Sequence, residues 1–240
     1  MKTALSWSSG KDSAWTLHVL HGQGVDVSML LTTVNTTHQR VAMHAVRRSL
    51  LEAQADAVGL PLMIVDLPWP CPNEVYESRM KMAMEELIAD DFEQIAFGDL
   101  FLRDIREYRE KQMEGLPIKP IFPLWEISTK ELANEMISGG LKSRITCIDP
   151  KKLDARFAGR VWDQSLLGEL PPDVDPCGEY GEFHTFAFAG PMFREPVAIR
   201  LGEIVERDGF VFADLILKDV GAHGNARNGI YESREIVAYE

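Results

Sequence analysis

Two short stretches of this 240-residue chain set reactive side chains among small residues. In "SSGKDS", Ser8, Ser9 and Gly10 permit a tight turn with converging N–H groups, and Asp12 and Ser13 open a helix-like segment. A helix start adds unpaired donors and the positive end of a dipole, which together suit an anion. Lys11 contributes a mobile point charge of the kind a polyphosphate attracts. The stretch is not a Walker loop, which needs a glycine where Leu5 stands and Ser or Thr where Asp12 stands. A plain Ser-rich turn, capped by Ser or Asp, accounts for the same residues.

The second stretch, "CGEYGEFHT" from Cys177 to Thr185, carries Glu179 and Glu182 between two glycines and an apolar run. Carboxylates so placed can bind Mg²⁺, hold an ammonium nucleophile or take a proton from it. His184 adds a group that titrates near neutral pH. A solvated acidic turn is the plainer alternative. Elsewhere, Gly98 and Asp99 in "FGD" end an apolar run, where Asp99 can meet a nucleotide, coordinate Mg²⁺ or cap a helix. Arg103, Arg106 and Arg109 recur every third residue, either to clamp an anionic acceptor or α-phosphate or as a solvated charged face. Met43 and His44 follow another apolar run, for nucleotide contact or for packing.

These residues need elements to hold them. "TALSWS", "VSMLLTTV", "PLMIVDLP" and "EQIAFGD" are short apolar runs bounded by turn residues, as buried parallel strands are. Met43, Val46, Leu50, Ala53 and Ala57 fall at helical spacing between the second and third. The succession predicts an α/β domain with right-handed crossovers, in which ligands sit at the carboxyl ends of the strands. Pro117, Pro120 and Pro123 predict an extended edge segment. After it, "STKE" at Ser128 to Glu131 reads as a capping box, with Gly139-Gly140 ending its helix. Asp208-Gly209 between two apolar runs predicts a hairpin. The expected organisation is residues 1–127 as a nucleotide-binding domain, 128–220 as a smaller α+β domain, and 221–240 as a weakly ordered tail rich in Gly and Asn.

A net charge of −12 disfavours a broad nucleic-acid surface. Cys71, Cys147 and Cys177 have neither disulfide-like nor zinc-like spacing. No run suggests a signal peptide or a membrane span, so a cytoplasmic protein is expected.

"SSGKDS" resembles the SGGxDS signature of PP-loop ATP pyrophosphatases, with Ser9 in place of the first glycine. Within that superfamily the chain resembles the diphthine–ammonia ligase (diphthamide synthetase) family. The resemblance rests on "MHAVRRSLLEAQADAVGLPL", "FGDLFLRDIREYREKQMEGLPIKPIFPLW" and "DPCGEYGEFHTFAFAGPMF". It implies a Rossmann-like fold and ATP with Mg²⁺. It also implies an acceptor carboxylate, small or protein-borne, that is adenylated with loss of pyrophosphate and then amidated by ammonia. Carried onto this chain, Ser8 to Ser13, Gly98 and Asp99 bind nucleotide, and Arg106, Arg109 and Thr185 bind substrate. Lys11, Glu179, Glu182 and His184 are catalytic. A homodimer is left open. Against the family pattern EGGEYET, Glu179, Gly181, Glu182 and Thr185 match, while Tyr180 replaces a glycine and His184 a glutamate. Those departures, together with "FGDLFLRDIREYRE", which differs from the form usual in diphthamide-making members, resemble a bacterial branch with a proposed role in corrinoid salvage, so the ATP chemistry carries over and the acceptor does not. A universal-stress-type nucleotide sensor and a PP-loop RNA-modifying enzyme are the rival readings.

Overall fold

The computed structural model describes residues 1–41 and 45–218, together with the backbone of Arg234–Ile236. The four apolar runs form β1 (Lys2–Ser6), β2 (Asp26–Asn35), β4 (Leu62–Leu67) and β5 (Gln94–Ala96). With β6 (Lys119–Ile121) they make a parallel sheet in the order β4-β2-β1-β5-β6, and β3 (Arg40–Val41) is antiparallel to β2. The chain builds outward from β1 to one side through β2 and β4, then returns to the other side with β5. The switch point is therefore the gap between β1 and β5, where an open α/β sheet binds its ligands.

Alternate residues of the central strands feed cores on opposite faces. Leu5, Leu30 and Ile64 pack with α1 (Lys11–Gly22) and α2 (Arg48–Val58), whereas Ala4, Met29, Met63 and Val65 pack beneath α3 (Asn73–Ala89). Removing most of a buried Leu side chain from such a core costs about 2–5 kcal/mol. The helix read from Met43 onward starts later than expected. Val46 is buried ahead of α2, and Met43 and His44 lie outside the described residues. Pro120 sits in β6, an edge strand where its missing N–H breaks no ladder.

Beyond it, α5 (Thr129–Ser138) starts where the Ser-Thr-Lys-Glu pattern indicates, but Ser128 makes no side-chain capping bond, so the expected capping box is not formed. Gly139 and Gly140 end the helix, Gly140 at φ +91°. A second, antiparallel sheet follows: β7 (Lys142–Ile148), β8 (Val161–Trp162), β9 (Phe183–Ala189), β10 (Ile199–Arg207) and β11 (Phe210–Leu217). Asp208 and Gly209, both at positive φ, make the predicted hairpin turn between β10 and β11. Most of the tail lies outside the described residues, yet β12 (Arg234–Ile236) pairs in parallel with β4. The Gly- and Asn-rich composition had not announced that strand.

The two sheets are joined by polar contacts. Asp214 of β11 accepts hydrogen bonds from Arg40 and, through both oxygens, from Arg47. These guanidiniums hold the Asp214 carboxyl below its usual range against the opposing effect of burial. At the other end of the junction, β9 lies along the loop between β1 and α1.

Candidate active site

The loop after β1 is tight. Gly10 is the residue preceding α1, and Ser13 Oγ lies 3.1 Å from both Ser8 Oγ and the Gly10 carbonyl. Ser9 is in the left-handed region at φ +67°, and its buried hydroxyl has no hydrogen-bond partner among the described residues. So the turn asks for the conformation a glycine adopts freely, and Ser9 supplies it under strain.

Lys11 departs from the mobile charge expected of it. Only 2% of the residue is exposed. Its ammonium sits 2.8 Å from an Asp12 oxygen, donates to the Cys177 carbonyl, and lies over the rings of Trp162 and Phe183. Burial opposes that charge, but Asp12, Cys177 and Glu179 outweigh it, and the Lys11 pKa is raised. The side chain is thus a fixed clasp between the loop and the Cys177–Thr185 segment. The Thr185 hydroxyl accepts the Lys11 N–H at 3.1 Å and so tethers the start of α1 to β9.

Between these parts lies a cavity of about 450 Å³. Ser8 and Lys11 to Ser13 form one wall and Phe97 to Asp99 another; Leu102, Ile105 and Arg109 close the side, and the Cys177–Thr185 segment covers the top. Gly98 packs closely here, since a Cβ would lie 3.1 Å from backbone atoms of Asp12 and Ser13.

The two glutamates have parted company. Glu179 faces the cavity and accepts the Leu100 N–H at 3.1 Å. Burial first, then the nearby Asp12 and Asp99 carboxylates, push its pKa up to about 7, against the Leu100 hydrogen bond and Lys11. Glu182 does not line the cavity. It is 3% exposed, its Oε1 accepts the Asp175 N–H at 3.0 Å, and its Oε2 has no partner among the described residues. Gly178 just before Glu179 and Gly181 between the two glutamates are both at positive φ and turn the chain. His184 lines the cavity from β9.

Asp99, the expected Mg²⁺ ligand, carries Arg109 across both carboxylate oxygens, at 2.5 and 3.1 Å. Arg109 also stacks 4.3 Å from the Phe97 ring centroid. Arg106 and Arg103, which share α4 (Arg103–Gln112) with it, do not reach the cavity. Arg106 is paired with Glu110 and lies 4.7 Å from both the Phe122 and Trp125 ring centroids, while Arg103 is exposed. Among the described residues, no group of three or more His, Cys, Asp and Glu could hold a metal ion.

Sequence reasoning passed over Asp175. Its Oδ1 accepts the N–H groups of Cys177 and Glu179 at 2.9 and 3.3 Å, and its Oδ2 accepts the Thr129 hydroxyl at 2.6 Å. That is the internal scaffold of the covering segment, and an Asp-Pro turn signal was its only trace. Also unforeseen is a smaller adjoining cavity of about 160 Å³ at the ends of β1 and β2, bordered by Thr33, Tyr76 and Met80.

A model of the diphthamide synthase N-terminal domain matches residues 1–120, and one of the C-terminal domain matches residues 128–214. The chain belongs to the diphthamide synthase family. Diphthine–ammonia ligase of Homo sapiens is 25% identical over 241 residues, 89% of this chain and 88% of its own. The Bos taurus enzyme is 26% identical with the same coverage, and that of Danio rerio 26% identical over 86% of this chain and 89% of its own. Members of the diphthamide synthase family pair a PP-loop, Rossmann-like sheet with a smaller domain, the architecture found here. By that membership this chain is an ATP-dependent, amide-forming ligase. No described helix is long and apolar enough to cross a membrane.

Proposed function

We propose that the chain adenylates an acceptor carboxylate and amidates it with ammonia. The carboxylate oxygen attacks the α-phosphorus of ATP, the bond to the bridging oxygen breaks, and pyrophosphate leaves into the Ser8–Ser13 loop. Backbone donors there stabilise charge as it develops on the leaving group. Ammonia then attacks the acyl carbon, the bond to AMP breaks, and the proton lost by nitrogen passes to Glu179. The base of the nucleotide is accommodated in the smaller cavity beside Tyr76.

Magnesium is bound by proteins through one or two carboxylates, with phosphate oxygens and water completing its shell. Asp12 and Asp99 both line the cavity, each with a cation across its two oxygens, Lys11 on Asp12 and Arg109 on Asp99; Asp12, at the loop itself, is the carboxylate that would hold the ion. When bound, the ion would supply charge neutralisation on the departing pyrophosphate.

The observation that carries this reading is Glu179, a cavity carboxylate with its pKa at about 7 facing the loop. A group so tuned accepts a proton at neutral pH without remaining fully charged. The finer identity of the acceptor follows the departures at Tyr180 and His184, which favour a corrinoid-related carboxylate over a diphthine-type one. The test is to incubate the protein with ATP, ammonia and a panel of carboxylates that includes corrinoid acids. Amide, AMP and pyrophosphate are expected; ADP and phosphate would overturn the adenylation step.

A further inference from the structure

Gln54 is a polar side chain on the buried face of α2, among Leu50, Leu51, Ala55 and Val58, and it is 0% exposed. Its amide is committed on both sides. Oε1 accepts the Trp7 indole N–H at 3.0 Å, and Nε2 donates to the carbonyls of Ser9 at 3.0 Å and Ala187 at 2.5 Å. One indole donor and two carbonyl acceptors agree with a single orientation of the amide. The Ser9 carbonyl receives a second bond from the Ala187 N–H at 3.0 Å.

In a trans peptide the C=O of one residue and the N–H of the next point in opposite directions. Pinning the Ser9 carbonyl against Gln54 and β9 therefore aims the Gly10 N–H the other way. There it donates to the Ser8 hydroxyl at 3.4 Å, and Ser8 lines the cavity. The same peptide follows Ser9 at φ +67°, a conformation that a non-glycine residue holds only where its surroundings over-determine it.

We propose that Gln54 is a positioning residue for the pyrophosphate loop. Its amide holds Ser9 in the left-handed region, and so keeps the Gly10 N–H aimed before any ligand arrives. Gln54 thereby offsets from outside the loop a left-handed penalty that a glycine at position 9 would not carry. This rests on the reading of Ser8–Ser13 as the pyrophosphate cradle.

Calorimetric titration with inorganic pyrophosphate alone tests it, on wild type, Gln54→Met, Ser9→Gly and the double variant, with thermal unfolding followed in parallel. Gln54→Met is expected to bind pyrophosphate about tenfold more weakly, the size of an ordinary left-handed penalty now met at binding. In the Ser9→Gly background the same substitution is expected to cost less, because glycine carries no left-handed penalty for Gln54 to offset. A purely structural glutamine would lower stability in both backgrounds without that rescue. Unchanged affinity in Gln54→Met, or an equal loss in both backgrounds, would overturn the proposal and leave the cradle standing. Failure of the wild type to bind pyrophosphate would overturn the cradle and this proposal together. Should Gln54→Met not fold, Gln54→Asn replaces it, since the shorter amide withdraws the donor from Ser9 without burying a charge.

Discussion

Glu179 and Glu182 stand three residues apart and share no environment: one carboxylate faces the cavity and takes the Leu100 N–H, the other is sealed inside against the Asp175 N–H. The division assigns them different work. Glu179→Gln is expected to lower amide formation by roughly 10²–10⁴-fold, the usual cost of losing a general base, with ATP affinity nearly intact. Glu182→Gln keeps an acceptor for Asp175 and is expected to lose far less. Amide formation at saturating ATP and ammonia, with nucleotide affinity measured separately, decides between the two. Equal losses in both variants would return Glu182 to the chemistry.

The pH dependence follows from the same group. Glu179 becomes a base as pH rises through about 7, so amide formation should climb across that range in wild type and lose that limb in Glu179→Gln. Stability should run the opposite way. The folded state holds this proton up to about 7, whereas the unfolded chain releases it near the ordinary value of 4.5. Between those values the native state binds more protons, and stability falls as pH rises. Denaturant titrations of wild type and Glu179→Gln at several pH values measure that slope, which the variant should lack.

Ser9→Gly should stabilise the protein. The substitution relieves a left-handed serine and removes a buried hydroxyl without a described partner. A gain of about 1 kcal/mol is expected, after the extra freedom of glycine in the unfolded chain is set against the relief. A chemical-denaturation midpoint no higher than wild type would show that the loop carries no such strain.

Gly178→Ala should do the reverse. At φ +72° its new Cβ would lie 2.7 Å from the Phe183 carbonyl oxygen, so the turn must open. A loss of about 1–3 kcal/mol is expected from the backbone conformation alone. Because Glu179 is the next residue, amide formation should drop by more than the lost stability explains, as activity measured well below the unfolding temperature would reveal.

The strands were legible because each is a short apolar run closed by turn residues, and burial on both faces leaves no other use for them. The loop was legible because small residues followed by a helix start have few alternatives. Side-chain destinations were less so. Arg103, Arg106 and Arg109 repeat identically in the sequence, yet only Arg109 lines the cavity, since Phe122 and Trp125 draw Arg106 to their rings. The helix they share buries none of its residues, so no apolar stripe marked its orientation. The glutamate pair was divided at a positive-φ glycine, Gly181, and spacing alone says nothing about backbone handedness. Gln54 and Asp175 act through contacts distant in sequence, which no local pattern encodes.

The contact between Lys11 and Thr185 spans 174 residues, and Ser9 is tied in the same way to Ala187. During synthesis this loop therefore leaves the ribosome long before the residues that fix its shape. The parallel sheet can assemble from the early part of the chain, but the loop at its edge must wait until residue 187 has emerged and β9 has docked. A nascent chain stalled before that point would lack the contacts that fix this loop. Long-range closures of this kind are slow to form, so the loop takes its final shape only once the second sheet is in place.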